Sequence, residues 1–116
     1  MKTAIYHNPR CSKSRATLEL LRNRGIEPEI IEYLDNPPDK QGLQRLLVLL
    51  GMEPRELMRK HEAAYREAGL QDLSLDREQL IEVMVQHPIL IERPIVVANG
   101  KAVIGRPPEK VLEILL

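Results

Sequence analysis

The order in which apolar periods follow one another along this chain leaves few folds open to it. Residues 3–6 and 28–34 read as short strands on either side of a helix from Ser12 to Arg24, whose apolar Ala16, Leu18, Leu20 and Leu21 end at a stop supplied by Gly25. Strand, helix and strand at that spacing make a βαβ unit, and its right-handed crossover makes the two strands parallel. From Asp39 the period becomes helical, with Leu43, Leu46, Leu47 and Leu50 on one stripe. Shorter helices are expected at Pro54–Lys60 and Glu62–Ala68, and another over Asp76–Gln86 with Leu80, Ile81 and Met84 facing inward. The period then returns to that of strands over Ile95–Ile104, around Asn99-Gly100, a pair suited to a two-residue hairpin turn with positive φ at both positions. Pro107-Pro108-Glu109 opens a last helix whose Val111, Leu112 and Leu115 should cover the sheet. The sequence therefore predicts one α/β domain over residues 1–116: a four-stranded mixed sheet with flanking helices and an all-helical insertion at about residues 39–90.

Composition narrows the function. Seventeen basic and 17 acidic side chains give no global field for nucleic acid or an anionic membrane, so any anion site must be local. With no Trp and no Phe, the core must be built from Leu, Ile, Val and Met, and a reading that needs aromatic platforms for stacking bases is weakened. No apolar run approaches the ~20 residues of a membrane span, and the opening segment is too short for a secretory signal. These features predict a soluble, cytoplasmic protein, with a monomer as the default. A single cysteine also rules out an internal disulfide, so redox chemistry must be completed by another thiol.

That cysteine, Cys11, follows the turn His7-Asn8-Pro9-Arg10 and precedes Ser12-Lys13-Ser14, at the expected start of the first helix. Unpaired amide hydrogens and the helix dipole there favour thiolate over thiol, and Arg10, Lys13 and Arg15 add to the effect. Asn8 braces the turn, and the backbone at Ser12, Lys13 and Ser14 forms a nest for an oxyanion that would meet the sulfur directly. Cys11-Ser-Lys-Ser14 has the spacing of a thiol–disulfide pair with serine in the second place. That serine can hydrogen-bond to sulfur but cannot resolve a mixed disulfide. A phosphatase loop would need arginine where Thr17 stands. His7, four residues before the sulfur, either tunes the thiolate or satisfies backbone groups at a strand end.

Attack by a thiolate on an oxyanion brings two negative groups together, so cationic donors are required, and arginine's planar fork suits them best. Arg93 precedes Pro94 and the hairpin, Arg106 follows Gly105 at its far end, and Arg59 falls on the expected short helix of the insertion, with Leu57 and Met58 to anchor it. Arg93 and Arg106 lie at roughly mirror positions about the turn. No metal site is expected, because Cys11 and His7 supply only two ligands, while His61 and His87 fall in unrelated contexts.

Five segments, Ile5–Arg15, Tyr33–Pro38, Arg55–Lys60, His87–Val97 and Gly105–Pro107, together resemble the glutaredoxin-dependent arsenate reductases of the ArsC family, which have a thioredoxin-like fold. The resemblance spans nearly the whole chain. It implies Cys11 as the catalytic cysteine with His7 beside it, Arg59, Arg93 and Arg106 as anion-binding arginines, and Pro94 as the cis-proline near the active-site loop. It also implies arsenate or a similar oxyanion as substrate, glutathione as co-substrate with no bound cofactor, and glutaredoxin as partner. The departure from the best-understood members is Ser12-Lys13 in place of a small Gly-Thr pair. Two alternatives share the architecture: a glutathione-linked thiol oxidoreductase acting on another substrate, and an Spx-type regulator that binds RNA polymerase. Ser14, standing where many such regulators carry a second cysteine, would remove their internal redox switch.

Overall fold

A computed structural model describes residues 2–115. The chain divides into two compact units: one takes the chain as far as Asn36 and resumes at Arg93, and the other comprises Pro37–Glu92.

The first unit is built on a four-stranded sheet. Its elements are β1 (Ala4–Tyr6), α1 (Ser12–Asn23), β2 (Glu29–Ile31), β3 (Ile95–Ala98), β4 (Lys101–Ile104) and a closing 3-10 segment, Pro108–Ile114. The strand order is β2-β1-β3-β4. β1 runs parallel to β2, with Ile5 opposite Ile30, and antiparallel to β3, with Ile5 opposite Val96. This mixed sheet flanked by helices is the thioredoxin-like arrangement. The hairpin turns at Asn99 (φ 55°) and Gly100 (φ 74°), and two consecutive left-handed residues match the right-handed twist of the strands they join. β2 is shorter than its apolar run suggests, because the amides of Asp35 and Asn36 both donate to the Glu32 carbonyl and fold the chain into a turn.

Ile5, Leu18, Leu21, Val96, Ala98, Val111 and Ile114 form this unit's core. Each fully buried Leu or Ile contributes about 1.5–3 kcal/mol relative to exposure. The buried stripe of α1 is Ser14, Thr17, Leu18 and Leu21, so two polar residues occupy inward positions while Ala16 is exposed. The last element corrects the expected helix. A 3-10 segment repeats every three residues, so Val111 and Ile114 face inward together and Leu112 does not join them.

The second unit holds α2 (Lys40–Leu50), α3 (Ala63–Glu67), α4 (Arg77–Gln86) and two 3-10 turns, Pro54–Leu57 and Pro88–Leu90. α2 packs on α4, burying Leu43, Leu46 and Leu47 on one and Leu80, Ile81 and Met84 on the other. Two expectations are corrected here. The helix expected to reach Lys60 ends at Leu57, and Met58 is extended and bridges Ile91. Arg59 therefore stands beyond that turn, in an extended pairing where its amide donates to Leu90 O at 2.7 Å and the Glu92 amide donates to Leu57 O at 2.8 Å. A sequence-distant partner takes the backbone bonds that a further helical turn would have used. Among the described residues, no helix is long and apolar enough to cross a membrane.

Candidate functional site at the start of the first helix

The turn between β1 and α1 is set by short-range bonds. The Arg10 amide donates to Asn8 Oδ1 at 3.0 Å, and the Cys11 amide donates to the Asn8 carbonyl at 3.0 Å. Arg15 Nη1 reaches back to the Pro9 carbonyl at 2.9 Å. These bonds deliver Cys11 in an extended conformation (φ −94°, ψ 123°) at the N-cap of α1, with its carbonyl already accepting the Arg15 amide. No side chain closes this helix start with a cap hydrogen bond, and its first turn holds no acidic residue. The donors at the helix start therefore face whatever the sulfur faces.

Cys11 is half-buried. Burial pushes its thiol up, but the Ser14 amide, the Arg93 charge, the Lys13 amide and the Arg106 charge together outweigh that, and the pKa falls below its ordinary value of 9.0. Arg106 Nη2 lies 3.6 Å from Sγ. Its guanidinium is aimed by a second bond, Nε donating to the Arg93 carbonyl at 2.7 Å. Gly105 N–H donates to the Pro94 carbonyl at 2.9 Å, so residues 105–106 are tied to residues 93–94 at two points. The Arg93–Pro94 and Arg106–Pro107 peptide bonds are both cis.

His7 and Ser14 lie behind the sulfur. Ser14, with no exposed surface, accepts the Asn8 amide at 3.0 Å and lies 2.6 Å from His7 Nδ1, the direction of that proton following the imidazole tautomer. Burial lowers the His7 pKa, with Glu32 opposing and Arg22 and Arg15 reinforcing, so the ring is held neutral. The Ser14 hydroxyl is thus engaged with His7 and Asn8, and it is the Ser14 amide that favours the thiolate. Ser12 and Lys13 are exposed, and the Lys13 carbonyl accepts Thr17 Oγ1 at 2.8 Å. The turn also lines a groove of about 320 Å³ with His7, Asn8, Pro9 and Arg10 on one side and Glu32, Leu34 and Asp35 on the other.

Nine of the residues singled out in the sequence, His7, Asn8, Cys11, Ser12, Lys13, Ser14, Arg93, Pro94 and Arg106, lie in the first unit. Arg59 belongs to the second, where Nη2 pairs with Glu62 Oε1 at 2.7 Å and Nη1 lies 3.5 Å from Ile89 O. Two residues at the centre of this arrangement escaped sequence reading. Thr17 is a fully buried polar residue on an otherwise apolar stripe, and Gly105 is buried against it. The one available signal was the glycine placed directly before Arg106.

The model of the ArsC family matches residues 6–114. An uncharacterized protein of Escherichia coli K12, YfgD, is 62% identical over 112 residues, covering 96% of this chain and 94% of its own length. An arsenate reductase of Neisseria meningitidis serogroup A is 49% identical, covering 96% of each chain. The solved structure of an arsenate reductase from Vibrio cholerae superposes with a TM-score of 0.96 at 54% identity, covering 99% of this chain and 98% of that one. The match across almost the whole chain, in a protein whose cysteine stands at the N-cap position of the first helix beside a fixed arginine, places this chain in the ArsC family.

Proposed function

We propose that the protein reduces arsenate to arsenite, with Cys11 as nucleophile and glutathione and glutaredoxin as the source of electrons. The observation that carries this reading is the Cys11 sulfur at an uncapped helix start, 3.6 Å from a guanidinium that is itself held in place. A thiol in that setting has the two things an oxyanion substrate demands: a nucleophile whose pKa is lowered toward the thiolate, and positive charge beside it to offset the negative charge of the incoming anion. Relatives about half identical to this chain carry the name arsenate reductase.

In the proposed reaction Cys11 Sγ bonds to arsenic and one arsenate oxygen leaves as water. Arg93 and Arg106 stabilise the charge on the remaining oxygens, and the amides at the start of α1 supply further donors. Reduction of As(V) to As(III) takes two electrons, which a single cysteine cannot provide alone. Glutathione adds its sulfur to arsenic with loss of a second water. The glutaredoxin thiolate then attacks that sulfur, forming a mixed disulfide and leaving the electron pair on arsenic as As(III). Water hydrolyses the bond between the Cys11 sulfur and arsenic, releasing arsenite and the thiolate. Net, one arsenate and two thiols give one arsenite, one disulfide and one water. A neutral His7, bonded to Ser14 behind the sulfur, holds the turn without adding a competing charge.

The test is arsenite formation by the purified protein with glutathione and glutaredoxin, compared with Cys11→Ser. Turnover is expected only with the native chain. Equal turnover by the variant, or none by either, would remove arsenate reduction from this site.

A further inference from the structure

Gly105 joins the end of β4 to Arg106, and its φ is not in the left-handed region, so the position calls for space and not for glycine's conformational freedom. A β-carbon built there would lie 2.6 Å from Thr17 Oγ1, 3.0 Å from Pro94 Cγ and 3.2 Å from Thr17 Cγ2. Contacts that short require something to move, and the neighbours are poorly placed to do so. Thr17 is branched at Cβ, fully buried, and held by its hydroxyl donating to the Lys13 carbonyl at 2.8 Å. Pro94 is buried and accepts the Gly105 amide itself.

Gly105 therefore lies between two fixed surfaces. On one side residues 105–106 are bonded to Pro94 and Arg93; on the other they press on the helix whose first residues present the sulfur. Arg106 is the adjoining residue, and its Nη2 reaches Sγ at 3.6 Å. We propose that Gly105 is a positioning residue: by carrying no side chain it lets the end of β4 close on Thr17, and that closeness sets the distance between the Arg106 guanidinium and the Cys11 sulfur. The proposal rests on Cys11 acting as a nucleophile and assigns the register of its cation to a packing contact made by neither residue. Thr17 is the other half of the device, a buried side chain of fixed rotamer against which β4 is gauged.

The experiment reads the pH dependence of Cys11 alkylation by iodoacetamide alongside kcat/KM for arsenate, in the full-length native chain, Gly105→Ala, Thr17→Ala and the double variant, with folding checked by circular dichroism. Gly105→Ala is expected to move the alkylation midpoint to higher pH and to lower kcat/KM by roughly 10- to 100-fold, the scale set by misplacing a catalytic group by up to about 1 Å. Thr17→Ala removes two of the three atoms that the new β-carbon would strike, so the midpoint of the double variant should return most of the way from that of Gly105→Ala to that of Thr17→Ala alone. General disruption of packing would give the opposite pattern, because the truncation of Thr17 would add to the damage done by the new methyl group. If Gly105→Ala does not fold, Thr17→Ile crowds the same contact from the α1 side and should move the midpoint in the same direction. A folded Gly105→Ala with the native alkylation profile overturns the proposal, and so does a double variant no better than the single one. A native protein that alkylates as a thiolate but does not reduce arsenate would refute the proposed substrate only, since the alkylation assay contains no arsenate.

Discussion

The starts of α1 and α4 obey opposite rules. α4 begins at Asp76, whose carboxylate accepts the Gln79 amide at 2.8 Å while the Gln79 side chain accepts the Asp76 amide at 2.9 Å, a complete capping box. α2 begins in a related way, with Asp39 accepting the Gly42 amide at 2.7 Å. α1 begins at a cysteine with no side-chain cap and no acid in its first turn. Forgoing such a cap costs a helix about 1 kcal/mol. The buried polar side chains divide the same way: His7, Ser14 and Thr17 all lie in the sheet unit, and the helical unit's buried side chains are apolar. The two longer helices of the helical unit, α2 and α4, close their starts with a side chain and the five-residue α3 does not, whereas α1 of the sheet unit is left open where the sulfur is.

The sharpest way to break this contrast is Cys11→Ser, which supplies α1 with a good capping residue. It should abolish arsenite formation without a comparable loss of thermal stability; retained activity would mean that the open helix end has nothing to do with the chemistry. Next in size is Arg106→Ala. Losing one preorganised charge should lower kcat/KM for arsenate by roughly 100-fold and shift Cys11 alkylation to higher pH. An unchanged alkylation profile would show that the helix start alone ionises the sulfur. Asp76→Ala is the reciprocal test. It should cost about 1 kcal/mol in denaturant unfolding while leaving Cys11 alkylation as in the native chain.

The smallest effects come from pH. The folded pKa of Cys11 lies below 9.0, so the stability it adds is complete above that value and declines as pH falls through the folded pKa. The folded state also resists protonating His7, whose pKa is lowered from 6.5 by burial, so stability should decline further as pH drops below 6.5. Unfolding midpoints across this range should lose the acid-side decline in His7→Gln and the alkaline-side gain in Cys11→Ser.

What the sequence made legible was whatever local physics decides. Asn99-Gly100 turns as its residue types require, Gly51 ends α2 in the left-handed conformation, and Asp39 and Asp76 cap where apolar periodicity begins. Cys11 was placed at a helix start for the same reason. Contacts between distant segments were not legible. Nothing near Met58 announces that Ile91 will pair with it and end the 3-10 turn. Thr17 and Ser14 look like solvent-facing positions by residue type, and their burial follows only from what lies across from them. The two ties between residues 93–94 and 105–106 depend on a register that no single segment contains.

The hairpin tip carries one more bond, Asn99 Nδ2 donating to the Ile114 carbonyl at 2.8 Å. In an asparagine followed by glycine the glycine amide can close on the side-chain carbonyl with loss of ammonia, and the aspartate or isoaspartate formed when water opens that ring would set a carboxylate against the Ile114 carbonyl. Chemical ageing of this protein should therefore first loosen the C-terminal turn at Ile114.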